Sequence, residues 1–534
     1  MARRSFWGWG LESDEPSQAD REAAAANLSR RYGRQFTAAP APSLDQLQLR
    51  SPRIQPPPAL ASFCSTEVYD RAAHAYGKSF RDVLRAFAGD FPNPPDVVAY
   101  PSDEAGVVAI LDWASSANAV AVPYGGGSSV VGGVEPPGGD RPVVTIDLAH
   151  LDRVLEVDPV SRAARIQGGV LGPALEDQLR PHGFTLRHFP QSFEYSTLGG
   201  WIATRSGGHY ATNHTHIDDF VESIRTVTPR GVIESRRLPG SGAGPSPDRL
   251  IIGSEGILGV ITEAWMRIQA RPRFRASAGI TFDSWKSGYE AARQVVQAKL
   301  WPANCRLLDP VEAGSAAGLK GDEALLIVAF ESAEVPQEPL IRQAVRIARE
   351  AGGRIDDGAV LVADSPGEGD GVGRQGAVGA WRNSFIRAPY GRNLTAGTGM
   401  VGDTFETAIT WDRWPDFDAN VRAAVTAALN DAAGGGSLSC RFTHVYTDGP
   451  APYYSFQAPG KPGGELEIWS AIKQAASNAV IANGGTITHH HAVGRDHRPW
   501  HDQQRPPLFA EALRAAKKTL DPNGILNPGV LIDP

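Results

Sequence analysis

Between Asp96 and Val130 the chain spells a short strand, a helix, a second strand and then three consecutive glycines. No other stretch narrows the fold as far. Val97, Val98 and Ala99 form the first strand. Ser102 and Asp103 are the residue types that cap a helix start. Val107, Val108, Ile110, Leu111 and Trp113 supply the apolar side that follows. Ala119 to Val122 is the second strand, and Pro123-Tyr124-Gly125-Gly126-Gly127-Ser128-Ser129-Val130 comes at once after it. Glycines let a backbone approach a pyrophosphate and turn successive N–H groups toward it. The loop has no lysine, so it is not a P-loop, and Val130 stands where a dinucleotide fingerprint needs its third glycine. Taken alone, the loop is equally well read as a tight turn.

Three later segments share its character. Pro190 to Trp201 runs into Ile202-Ala203-Thr204-Arg205-Ser206-Gly207-Gly208, rich in small and hydroxylated residues. Gly253 to Thr262 mixes glycine with a strand-like ending. Leu520 to Gly529 contains Asp521-Pro522-Asn523-Gly524. Four such segments in this order resemble the PCMH-type FAD-binding fold of the vanillyl-alcohol oxidase superfamily, over roughly Asp96 to Ile268 plus the C-terminal tail. The resemblance implies that Pro123, Tyr124, Gly125, Gly126, Gly127, Ser128 and Ser129 hold the FAD pyrophosphate. It assigns the isoalloxazine and adenosine parts to Gln191, Ser192, Phe193, Glu194, Tyr195, Ser196 and Thr197, to Thr204, Arg205, Ser206 and Gly207, and to Glu255, Gly256, Ile257, Leu258, Gly259, Val260 and Ile261. Many members attach FAD through a histidine of the glycine loop. None stands here, which implies non-covalent FAD.

His489-His490-His491 follows Gly484-Gly485. In an extended segment alternate side chains face opposite ways, so His489 and His491 are expected on one face and His490 on the other. Imidazoles serve as acid, base or phosphate donor near neutral pH. A metal site or a merely polar loop are the other readings. The sequence singles out no further ligand, and no metal is assigned. Together with Phe193 to Trp201 and Val227-Thr228-Pro229-Arg230-Gly231, the triplet resembles the alkyldihydroxyacetonephosphate synthase family over most of the chain from about residue 90. That resemblance implies exchange of the acyl group of acyl-dihydroxyacetone phosphate for a fatty alcohol through an adduct at flavin N5, in ether lipid synthesis. It places the acid/base tyrosine at Tyr453, with Tyr454 the adjacent rival. It places the phosphate-binding arginine at Arg392 and another functional arginine at Arg306. The triplet would assist. Ala492 stands where the family has glycine, Gly391 and Asn393 flank Arg392 where the family has an apolar residue and an acid, and Pro450 and Pro452 precede Tyr453. An FAD-dependent oxidase or dehydrogenase of a 2-hydroxy acid, and a non-catalytic flavin-binding protein, are the alternatives.

A chain of 534 residues exceeds one core. The expected class is α+β. Residues 1–90 form a helical and proline-rich extension, with Asp20 to Tyr32 helical, Ala38 to Leu60 an extended surface arm, and folding starting near residue 65. A two-subdomain FAD-binding domain over 91–272 precedes an α+β cap domain over 273–500. A short helical segment over 501–534 returns to the FAD domain. Gly367 to Gly376 reads as a mobile loop. Net charge is −7, which offers no global basic surface for nucleic acid. The three separated cysteines suit a reducing compartment. No apolar run is long enough to span a membrane. The expected setting is cytoplasmic, with peripheral membrane contact, a homodimer, and a small or lipid-like anionic substrate.

Overall fold

A computed structural model describes residues 3–210, 216–363 and 376–533. Residues 367–375 of the glycine-rich stretch lie outside the described residues. The class is α+β, as expected, with two large sheet systems.

The first system holds two sheets. Four strands, β1 (Cys64–Ser65), β2 (Val97–Ala99), β3 (Val120–Tyr124) and β4 (Val143–Asp147), lie in the order β1-β2-β4-β3. The three longer strands are parallel, which the intervening helix Glu104–Ser116 makes possible. Asp103 caps that helix by accepting the Gly106 N–H, and Val107, Ile110, Leu111 and Ala114 bury its inner face. Val108 lies on the exposed side instead. The second sheet is antiparallel. It comprises β5 (Val154–Asp158), β6 (Ala163–Gln167), β8 (Val221–Thr228), β9 (Gly231–Glu234) and β10 (Val260–Arg267), ordered β5-β6-β10-β8-β9. Between them in sequence, β7 (Phe184–Thr185) pairs with β11 (Gln269–Ala270). Ile525 and Leu526 of the C-terminal tail pack into the core of the first sheet, and Leu526 bridges Ala121 of β3. Val530, Leu531 and Ile532 enter the core of the second.

The other system is one antiparallel sheet of seven strands. They are β12 (Phe274–Phe282), β13 (Asn304–Leu308), β14 (Ala324–Ser332), β15 (Leu361–Ala363), β16 (Met400–Glu406), β17 (Ser437–Val445) and β18 (Pro450–Pro459). Their order is β15-β12-β14-β13-β17-β18-β16. Helices Trp285–Gln297, Glu338–Glu350, Trp414–Ala433 and Glu465–Ala482 contribute to the large core that covers one face. The other face carries Arg306, Thr404, Arg441, Tyr453 and Ser455, which line a cavity against the first system. The period-2 alternation of strands decides the sorting. Phe405, Cys440, Phe442 and Tyr454 point into the core, and Thr404, Arg441, Thr443, Tyr453 and Ser455 between or beside them point to the cavity.

The N-terminal region corrects the expectation that folding starts near residue 65. Phe6 and Trp7 are buried among Tyr76, Phe87 and Phe91. Arg21, on the helix Gln18–Tyr32, is fully buried and donates to the carbonyls of Asn393, Ala39 and Ala396. The proline-rich stretch does lack regular structure except a turn at Leu44–Gln46. Its end is pinned by Asp96, which accepts from Arg50, Arg53 and the Val143 N–H. Burial pushes the Asp96 carboxyl up, but these hydrogen bonds outweigh it and hold the group at about 2. A carboxyl depressed in the folded state stabilises above its unfolded pKa, and that contribution fades as pH falls from about 4 to 2. Asp96→Asn is expected to flatten the acid limb of a stability-versus-pH curve over that window, removing about 2 kcal/mol at neutral pH. Urea unfolding at stepped pH checks it. An unchanged acid limb in the variant refutes the assignment.

Candidate active site

The glycine loop leaves β3 and closes against the segment Tyr195–Thr197. A Cβ on Gly125 would lie 2.2 Å from Thr197 Oγ1, and one on Gly126 would lie 1.8 Å from the Tyr195 carbonyl oxygen. Gly127 adopts φ +64°, a left-handed conformation suited to glycine. Among the described residues, the six N–H groups from Gly125 to Val130 have no hydrogen-bond partner. Such a run of unpaired donors at a cavity wall is a cradle for an anion such as a dinucleotide pyrophosphate. The residues present therefore fit the phosphate portion of FAD.

The cavity has a volume of about 750 Å³. Of the residues singled out from sequence, Gly125, Gly126, Gly127, Ser128 and Ser129 line it, as do Gln191, Ser192, Ser196, Thr197, Thr204, Ser206 and Gly207. Arg306, Arg392, Tyr453, His490 and His491 join them on the wall. The others lie off it. Pro123 and Tyr124 end β3. Phe193 and Glu194 form a short turn with Tyr195, whose ring meets Trp9 edge-on. Arg205 pairs with Asp218. Glu255, Gly256, Ile257, Leu258, Gly259, Val260 and Ile261 sit behind the wall, and the Glu255 carboxylate accepts the N–H groups of Val493 and Gly494. Ala24, Leu28, Leu394, Met400 and Phe456 add an apolar stretch of wall. Two of these come from the N-terminal helix.

The triplet does not obey strand alternation, because residues 487–497 form bends and turns. His490 and His491 reach the cavity, and His489 turns away. Glu406, at the end of β16, causes this. Its buried carboxylate accepts the N–H of His489 at 2.6 Å, of His490 at 3.2 Å and of His491 at 2.9 Å. It also accepts from Thr488 Oγ1. The loop wraps around one carboxylate instead of extending along a sheet. Ala492 then takes φ +71°, a left-handed conformation in which glycine carries no penalty. Burial lowers all three imidazoles well below their usual range, with neighbouring histidines reinforcing it, so they are neutral at pH 7.

Tyr453 donates to Thr404 Oγ1 at 3.0 Å, and the Arg441 guanidinium lies 4.0 Å from its ring centre. Burial raises its hydroxyl above the ordinary value, against the pull of Arg441, so the phenol is protonated at neutral pH. Tyr454, the rival, is fully buried and donates to Asp418 at 2.8 Å. Arg306 is 2% exposed. Its Nε and Nη1 have no partner among the described residues, and its guanidinium lies 5.0 and 4.8 Å from the Trp381 and Phe385 rings. Burial, then the nearby Arg441, lowers it to about 9. Arg392 is engaged at both ends, by Asp403 at 2.6 Å and the Lys78 carbonyl at 2.6 Å.

Sequence reasoning did not single out Glu406, Arg441, Lys78 or His209. Lys78 lines the cavity, has no ion pair among the described residues, and is drawn down to about 7 by burial and Arg4. Arg441 lies in β17, and nothing in the local sequence predicts its pairing with Glu312 at 2.8 Å.

Two families match the chain. The one described as FAD binding domain covers residues 95–235, and FAD linked oxidases, C-terminal domain, covers 271–531. Alkyldihydroxyacetonephosphate synthase of Dictyostelium discoideum is 32% identical over 472 residues, spanning 86% of this chain and 77% of its own. Glycolate oxidase subunit GlcD of Bacillus subtilis is 25% identical over 444 residues, spanning 82% and 89%. A solved structure of alkyldihydroxyacetonephosphate synthase superposes with a TM-score of 0.75 at 27% identity, covering 92% of this chain and 89% of that one.

Two substitutions separate the cradle from the loop. Gly126→Ala is expected to leave the purified protein with little bound flavin, read as lost absorbance near 450 nm. Full occupancy would count against the cradle. Glu406→Gln weakens charge-assisted bonds worth about 1.5–3 kcal/mol. It is expected to lower the thermal midpoint and turnover while flavin content holds, and unchanged stability would contradict the role given to Glu406.

Proposed function

The chain belongs to the alkyldihydroxyacetonephosphate synthase-like family of FAD-linked oxidases, and from that premise we propose that it exchanges the acyl group of acyl-dihydroxyacetone phosphate for a fatty alcohol. The observation that carries this reading is the buried Arg306 guanidinium, left without an acid at the wall of a cavity that also has an apolar stretch. An unpaired buried cation is costly unless an anion meets it. A phosphate on a lipid-like substrate answers both features.

FAD, when bound, supplies an electron-accepting isoalloxazine. The glycine loop would hold its pyrophosphate, and its glycines and serines offer no side chain for a covalent link. The chain's own groups do the remaining work. Arg306 neutralises and orients the substrate anion, with Lys78 and Arg392 on the same wall. Tyr453 moves a proton at its Oη. The incoming alcohol must lose its hydroxyl proton as the ether bond forms and the carboxylate departs, and a neutral phenol beside a neutral imidazole provides that exchange. His490 and His491 stand nearest, with ring centres 6.0 and 5.4 Å from Tyr453. The apolar wall takes the hydrocarbon chain.

A second reading has one specific support. Arg306 is as suited to the carboxylate of a 2-hydroxy acid, and a glycolate oxidase subunit is among the relatives. An anaerobic assay divides the two. Acyl-for-alcohol exchange with the oxidised flavin bands preserved supports the synthase. Bleaching of those bands by a 2-hydroxy acid, with no exchange, overturns it. Tyr453→Phe is expected to cut exchange at least 10²-fold with flavin content intact, and Tyr454→Phe to spare exchange while lowering stability by about 1 kcal/mol. Acid precipitation tests the non-covalent link: flavin released to the supernatant supports it, and a yellow pellet refutes it.

A further inference from the structure

Behind the cavity lies a cluster that the proposed chemistry leaves unused. His489 Nε2 is 2.8 Å from Tyr446 Oη and 3.1 Å from His216 Nε2, and Tyr446 Oη is 2.9 Å from His216 Nε2. The three atoms make a nearly equilateral triangle. They come from three separate places: the FAD-binding region at His216, the end of the seven-stranded sheet at Tyr446, and the triplet loop.

Hydrogen bonds fill at most two edges of this triangle. His216 Nδ1 lies 3.1 Å from the Arg205 carbonyl oxygen, which can only accept, so that nitrogen carries the proton of the neutral ring. His216 Nε2 therefore offers a lone pair. Tyr446 brings one proton. His489 in its neutral form has one proton to place, either on Nε2 or on Nδ1, which sits 3.1 Å from His490 Nδ1. At most two protons serve three edges, and only one if His489 protonates Nδ1.

A second observation points the same way. His444 is 2% exposed and donates from Nε2 to the Gly208 carbonyl at 3.0 Å. Its Nδ1 is thereby a bare lone pair, buried without a partner among the described residues. His444, His489 and His490 each offer a ligand atom, and these lie within 4.8 Å of one another. His216 thus donates Nδ1–H to a backbone carbonyl and turns Nε2 to the triangle, the arrangement that orients metal-binding histidines, and His444 beside it likewise donates one ring N–H to a carbonyl and keeps the other nitrogen unprotonated.

Bonds of about 2.0–2.1 Å require edges of about 2.8–3.4 Å between neighbouring donors, depending on whether the angles are right or tetrahedral. The observed edges lie at the short end of that range. Imidazole and phenol donors, with no thiolate, suit a borderline divalent cation of the first transition row and not calcium or magnesium.

We propose that His216 Nε2, His489 Nε2 and Tyr446 Oη form one face of a zinc-class divalent cation site, with His444 as the adjoining donor. The cation would tie the FAD-binding region to the sheet and to the triplet loop. The site does not depend on the substrate proposed above.

The test uses untagged, flavin-loaded protein, stripped with a chelator and dialysed against Zn²⁺. Metal analysis is expected to find one zinc per chain, with a rise in thermal midpoint. His216→Ala and Tyr446→Phe should each weaken zinc binding at least tenfold, whereas His491→Ala should retain it. Flavin absorbance reports whether each variant has folded, and Tyr446→Phe, which deletes a single oxygen, decides if His216→Ala loses flavin. Absence of zinc uptake by the parent protein overturns the proposal. Uptake that persists undiminished in the folded variants also overturns it, by placing the cation elsewhere.

Discussion

Two buried carboxylates hold the loop from Thr488 to Gly494 between the two sheet systems, and the arrangement of the cavity follows from them. Glu406 reaches the loop from the seven-stranded sheet and gathers the N–H groups of the histidine triplet. Glu255 reaches it from the FAD-binding region and accepts those of Val493 and Gly494. Bonds to an ionised carboxylate are stronger than neutral ones and burial leaves no water to compete, although burial also raises the Glu255 carboxyl to about 7 against the pull of those two N–H groups. Asn527 adds a bond to the Glu255 carbonyl, which couples the C-terminal tail to the same point. The loop is consequently a joint between regions, and the imidazoles on it are placed by both.

Around that joint the cavity is a poorly neutralised positive site. Arg306 and Lys78 line it without ion pairs among the described residues, and Arg441 is balanced by Glu312 behind the sheet. Desolvation weakens the charged form of both unpaired groups, lowering Arg306 to about 9 and Lys78 to about 7. An anion would reverse that effect, so ligand binding and protonation of this wall are coupled. The neutral phenol of Tyr453 lies among these cations and is kept protonated by burial.

The N-terminal residues complete the cavity. Arg4 donates to the Gly126 carbonyl and lies over the Tyr195 ring, while Trp9 and Leu28 are part of the wall. Nothing local in Phe6-Trp7-Gly8-Trp9 announces this role. Short aromatic runs acquire a place only when a partner surface exists, and here that surface includes Tyr76, Phe87 and Phe91. The same holds for Arg21, whose burial is explained by carbonyls far along the chain.

What the sequence determined by itself is local. The β-α-β unit and its glycine loop are written in contiguous residues, and so is the alternation that separates Tyr453 from Tyr454 once β18 is extended. Residue types within a few positions settle backbone conformation and which side chains share a face. Only the tertiary structure decided which faces meet. It bent the triplet around Glu406, 83 positions before His489, turned His489 off the cavity wall, and brought His216, His444 and Tyr446 to it. Those contacts depend on long-range closure of the chain and on which buried donors lack water, and neither is encoded in the spacing of adjacent residues.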